Sequence, residues 1–104
     1  MLFRSRLTTR LADALEDASV QAVLVLTPPN THLDIVRQAA LAGKHVLVEK
    51  PLEIDLARAT ALVEAGEAAG VQLGVMLQHR QRPGAQALAD LLRARRLGDR
   101  KSVV

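Results

Sequence analysis

Glu49 and Lys50 follow the apolar run Val46-Leu47-Val48 and precede Pro51. An acid and a base set directly after a wholly apolar strand lie at its carboxyl end, the edge where open α/β sheets bind their ligands. Pro51 fixes its own φ, removes a donor and biases Lys50 towards an extended conformation. Both charges are therefore expected at the sheet edge and not inside the following helix. An ammonium at such an edge stabilises negative charge developing on an oxygen, and a lysine of lowered pKa can relay a proton. A second polar loop, Thr27-Pro28-Pro29-Asn30-Thr31-His32, leaves another apolar run, and a third, Gln78-His79-Arg80-Gln81-Arg82, leaves the stretch 71–77.

Other chemistries find little support. The 104 residues contain no cysteine, which excludes disulfides, thiolate catalysis and Cys-based metal sites. His32, His45 and His79 lie far apart and show no helical ligand spacing, so no metal site is expected. No apolar stretch approaches the roughly 20 residues that cross a bilayer, and the start Met1-Leu2-Phe3-Arg4 lacks the order of a signal peptide. The expected compartment is the cytoplasm, away from membranes. A net charge of +3 invites a nucleic-acid reading, but the bases sit mainly at the two ends, and a single aromatic residue leaves no stacking platform. Arg93, Arg95 and Arg96 are expected in the last turn of a helix, where cations complement the dipole.

The elements that must position the three loops follow from periodicity. Thr8 or Thr9 can cap a short helix over 10–15, and residues 1–19 form a lead-in segment. The run 22–26 predicts a first strand that wants cover on both faces. The proline pair ends it. Thr31 to Asp34 has capping-box spacing, and the next helix presents Ile35, Val36, Ala39 and Ala40 before Gly43 closes it. Residues 45–49 form the second strand. Asp55 caps a third helix carrying Leu56, Ala59, Leu62, Val63 and Gly66, and Gly70 ends it. Gly66 costs roughly 1 kcal/mol against Ala, which closer approach of helix to sheet would offset. Residues 71–77 form the third strand. Pro83 opens a final helix to about Arg96, with Leu88, Leu91 and Leu92 inward and Gly98 as cap. Residues 100–104 begin a further strand. This alternation predicts an α/β fold of three parallel strands with right-handed crossover helices.

The loop 27–32 and the triplet Glu49-Lys50-Pro51, separated by one helix and one strand, resemble the Gfo/Idh/MocA family of NAD(P)-dependent oxidoreductases. In that family an apolar strand ends in Thr-Pro-x-x-x-His, and a later strand ends in Glu-Lys-Pro. The Gln78-His79-Arg80 exit is similar to a third loop bordering the family's active site, and the resemblance spans roughly residues 10 to 104. It implies a partial Rossmann domain that binds NAD or NADP and, in the whole enzyme, a sugar or polyol substrate. By the same resemblance Thr27, Pro28, Pro29, Asn30, His32, Glu49, Lys50 and Arg80 contact the cofactor. Glu49 faces the nicotinamide ribose. Lys50 is the catalytic candidate, reaching the reacting hydroxyl or the nicotinamide. Electrostatic positioning ranks above proton relay for Lys50, since the family's usual base is a histidine elsewhere.

The departures are equally specific. No glycine precedes Gly43, so the Gly-x-Gly-x-x-Gly fingerprint that carries the pyrophosphate is missing. The family's Asp-x-x-x-His pair is also absent. Residues 20–104 thus correspond to the second half of a dinucleotide domain, strands 4, 5 and 6 of the order 3-2-1-4-5-6, with no substrate domain. Such a fragment is not expected to be active alone. The alternatives are a small non-catalytic α/β binding or assembly module, or a truncated reading frame. The first strand, left as an uncharged edge, is expected to recruit a second copy through residues 22–26.

Overall fold

A computed structural model describes residues 5–98. After the short helix α1 (Leu11–Leu15) come strand β1 (Ala22–Val25), a 3-10 turn (Pro29–Thr31) and helix α2 (His32–Leu41). Strand β2 (His45–Glu49), helix α3 (Leu56–Ala69), strand β3 (Leu73–Met76), a second 3-10 turn (Gln78–Gln81) and helix α4 (Pro83–Arg93) follow. The sheet has the order β1-β2-β3, all parallel. This is the expected Rossmann-like α/β arrangement.

Register assigns the faces. Val25 pairs with Val48 and Val48 with Val75, while Leu24 pairs with Leu47 and Leu47 with Gly74. The valine layer is the inner one. Val25, Val46 and Val48 are buried with Leu33, Val36 and Ala39 of α2 and Leu62 of α3, and Leu15 of α1 packs against the same cluster. The opposite layer is open: Leu24 is 51% and Leu47 42% exposed. The expectation of cover on both faces therefore fails among the described residues, because α1, α2 and α3 all serve the valine face.

Local chemistry sets the helix ends. The Asp55 side chain accepts from the Arg58 backbone N–H and caps α3, while Gly43 (φ 73°) and Gly70 (φ 67°) take the left-handed conformation after α2 and α3. A Cβ built on Gly66 would lie 3.4 Å from Leu73 Cβ and Cδ2, the close approach of helix to sheet expected at that glycine.

Four elements differ from expectation at their ends. Arg10, without a side-chain bond, stands at the cap of α1, and Thr8 instead donates to Asp13. β1 stops at Val25, one residue early, and β3 is shorter at both ends than 71–77. α4 ends at Arg93, so Arg95 and Arg96 lie beyond it. Leu88, Leu91 and Leu92 are exposed, since α4 packs chiefly on the turn before it. The expected strand over 100–104 lies outside the described residues.

Candidate functional site

All three strands run in the same direction, so the loops that leave β1, β2 and β3 emerge at one edge of the sheet. The strand order puts the β2 exit in the middle. Glu49, the last residue of β2, is half-buried beside Met76, its partner on β3. Lys50 is exposed one residue further on, and the Lys50–Pro51 peptide bond is cis, which the sequence reading did not include. Among the described residues neither Glu49 nor Lys50 is paired with an opposite charge. Both groups remain open to a ligand.

The β1 exit is a tight turn that consumes much of its own polarity. The Thr31 hydroxyl donates towards Pro28 O at 2.6 Å and lies 2.7 Å from the Thr27 hydroxyl. Thr31 therefore closes the turn and does not cap α2, contrary to the capping-box reading; its backbone is already helical there. Pro29 is half-buried, whereas Thr27, Pro28 and Asn30 are exposed. No hydrogen bond holds the Asn30 carboxamide among the described residues, so it too is available.

His32 departs from its expected place at the cofactor. Its side chain is fully buried, with Nε2 2.8 Å from Thr27 O and Nδ1 3.1 Å from Leu52 O. Both ring nitrogens face backbone carbonyls, so the imidazole joins the β1 exit to the β2 exit and offers nothing to a ligand. A neutral ring donates to only one carbonyl at a time.

Two residues were missed altogether. Glu53, with its side chain fully shielded, accepts from the backbone N–H groups of Leu33 and Ile54, each at 2.8 Å. Leu33 lies in the first turn of α2, so the cap of that helix comes from 20 residues away. Arg58 of α3 completes the set. Its Nε lies 3.2 Å from Glu53 Oε1, poorly aligned for a hydrogen bond, while one terminal nitrogen reaches Glu53 Oε2 at 3.4 Å and Asn30 O at 3.1 Å. Burial alone would push the Glu53 carboxyl up; the bonds from Arg58, Ile54 and Leu33 outweigh it and hold the group at about 2. No sequence signal separates Glu53 from any other loop glutamate, because the helix start it caps, at Leu33, lies 20 residues away on another element.

The third exit is set apart. Arg80 is exposed on its 3-10 turn and lines an open cleft of about 330 Å³ with Val75, Leu77, Ala89 and Arg93. Gln86 of α4 fixes the turn by donating to Arg80 O at 2.6 Å. Arg80 thus faces α4, at the opposite side of β2 from the Asn30 turn. Among the described residues no group of three or more acidic or histidine side chains could hold a metal ion. No helix there is long and apolar enough to cross a membrane.

Comparison with known proteins shows the family and the fold. The family model described as "Oxidoreductase family, NAD-binding Rossmann fold" matches residues 2–77, which takes in the first two strand exits. The chain belongs to the Gfo/Idh/MocA family. An uncharacterised oxidoreductase of Synechocystis is 36% identical over 93 residues, 89% of this chain and 25% of that protein. The scyllo-inositol 2-dehydrogenase (NAD(+)) of Bacillus subtilis is 41% identical over 66 residues, 62% of this chain and 19% of the enzyme. Among solved structures, the WlbA dehydrogenase of Bordetella pertussis, in complex with NADH and UDP-GlcNAcA, superposes with a TM-score of 0.85 at 30% identity. That match covers 90% of this chain and 27% of the dehydrogenase. The Gfo/Idh/MocA chain spans about a quarter of the length of the relatives it matches.

Proposed function

We propose that residues 20–104 form one wall of a nicotinamide dinucleotide cleft in an oxidoreductase that acts on a sugar- or polyol-type alcohol. The observation that carries it is Lys50, exposed at the centre of the carboxyl edge and without a charged partner among the described residues, with Asn30 on one flanking loop and Glu49 directly before it.

The residues present fit the cofactor. The Asn30 carboxamide and the Glu49 carboxylate are polar groups without protein partners among the described residues, set on an edge where parallel sheets take such ligands. Thr27, Pro28, Pro29 and Asn30 would lie along the dinucleotide and Glu49 would meet the nicotinamide ribose. When bound, the nicotinamide supplies the two-electron acceptor for the hydrogen leaving the alcohol carbon. Lys50 then holds its ammonium near the alcohol oxygen and stabilises the negative charge that grows there as the hydroxyl proton departs. The base that removes the proton comes from outside these residues, as does the glycine-rich loop for the pyrophosphate. His32 serves by orientation only, and Arg80 borders the site from the side of α4.

A half-cleft binds weakly. Titration of the ¹⁵N-labelled chain with NADH and NADPH is expected to move the amides of Asn30, Glu49 and Lys50, with a Kd of roughly millimolar order or weaker. No alcohol turnover is expected from the chain alone. Shifts confined to other regions refute the assigned wall, and micromolar affinity refutes the claim that the second wall is required.

A further inference from the structure

We propose that Glu53 and Arg58 form a clamp that sets the Asn30 turn against the Lys50 loop, making both positioning residues of the cleft. Glu53 lies in the loop that leaves β2, three residues after Lys50, and its carboxylate grips the backbone N–H of Leu33 at the start of α2. That contact alone would be a helix cap. The second arm goes further: Arg58, held by Glu53, donates to the carbonyl of Asn30, 28 residues away in sequence. A helix cap has no need of that bond. It fixes the backbone of the one turn residue whose carboxamide is free for a ligand. The two ligand-facing groups, Asn30 and Lys50, are thereby referred to a single buried charge. The buried His32 ring sits between the same two loops, with Nε2 2.8 Å from Thr27 O and Nδ1 3.1 Å from Leu52 O, and donates to one of the two carbonyls. The ionic clamp is the fastening that reaches both the Asn30 turn and the loop after Lys50. Glu53 and Arg58 act through the backbone and touch no ligand themselves.

The inference rests on the assignment of Asn30 and Lys50 to the cleft, and the test separates the two. The whole 104-residue chain, ¹⁵N-labelled, is compared with Glu53→Gln and Arg58→Met by amide hydrogen exchange and chemical shift. Glu53→Gln keeps an acceptor for Leu33 and removes the charge that holds Arg58; Arg58→Met keeps the aliphatic stem and leaves Glu53 in place. Both variants are expected to shift the Asn30 and Lys50 amides together and to speed exchange across 30–33 by roughly ten- to hundredfold, the loss of a hydrogen bond to a charged group. Core amides such as Val48 are expected to keep their rates. The clamp is overturned if only Leu33 and Ile54 respond while Asn30 and Lys50 stay in place, since Glu53 would then be a cap alone. Should Glu53→Gln not fold, Arg58→Met decides the question by the same two signals. No dinucleotide enters this measurement, so a failed NADH titration removes the cofactor assignment without touching the result for the clamp.

Discussion

Acidification is expected to unfasten the joint between α2 and the β2 exit before it harms the valine core. Glu53 is the reason. Its carboxyl sits at about 2 in the folded chain against an ordinary value of 4.5, so its folded form holds a proton less readily than its unfolded form. The stabilisation is fully present above about pH 5 and is lost as pH falls from there towards 2. A depression of that size corresponds to ~3 kcal/mol. Full shielding of the Glu53 side chain means that little of this is screened by solvent, although Arg58 is 32% exposed. Urea unfolding of the wild-type chain and of Glu53→Gln at pH 7, 5, 4 and 3 isolates the effect, because every other carboxylate titrates in both proteins and cancels. At pH 7 the variant is expected to lose about 2–3 kcal/mol, less than a fully buried broken pair would cost. The gap should narrow steadily below pH 5, to about 1 kcal/mol at pH 3, and nearly close only towards pH 2. A gap that stays constant over this range refutes the claim that the buried charge, and not merely the shape of Glu53, holds the loops.

Lys50→Met is expected to change stability by less than about 0.5 kcal/mol, since Lys50 is exposed and has no charged partner among the described residues. In an enzyme assembled around this segment the same change should lower turnover roughly 10²- to 10³-fold; steady-state kinetics that show no fall would exclude the assigned role. His32→Ala removes a fully buried ring with two backbone contacts and should cost about 2–4 kcal/mol in urea unfolding. Gly66→Ala gains up to about 1 kcal/mol of helix propensity, and its new Cβ meets Leu73 at 3.4 Å, so a small net gain is expected; a clear loss would mean that the helix cannot yield at all. The wild-type chain is expected to self-associate at roughly tens of micromolar through the edge of β1, and Leu24→Lys to suppress this. Sedimentation that shows a monodisperse wild-type monomer counts against it.

Features governed by adjacent residues were readable in advance. Gly43, Asp55, Gly70 and Pro83 mark helix ends through their own backbone preferences, and β2 falls on the residues where an unbroken apolar run meets a charge. The edge position of Lys50 followed from that run. What escaped were facts that need a partner from another element. Thr31 and Asp34 had the spacing of a cap, but Glu53 reached the α2 terminus and Thr31 turned back to Pro28. His32 looked like a ligand contact until both ring nitrogens were found facing carbonyls. The apolar stripe of α4 gave a helix correctly and its burial wrongly, because amphipathicity says which face seeks cover and not whether cover is present.

The sheet places β1, β2 and β3 side by side in the order in which the chain is made. A ribosome delivers residues in that same direction. By the time Glu49 emerges, β1, α2 and β2 can already form a complete β-α-β unit, and nine residues later Arg58 arrives to grip both Glu53 and Asn30. Nothing in β3 is needed for that step. The corner that carries Lys50 is thus expected to take its final shape during synthesis, ahead of the strand that will flank it.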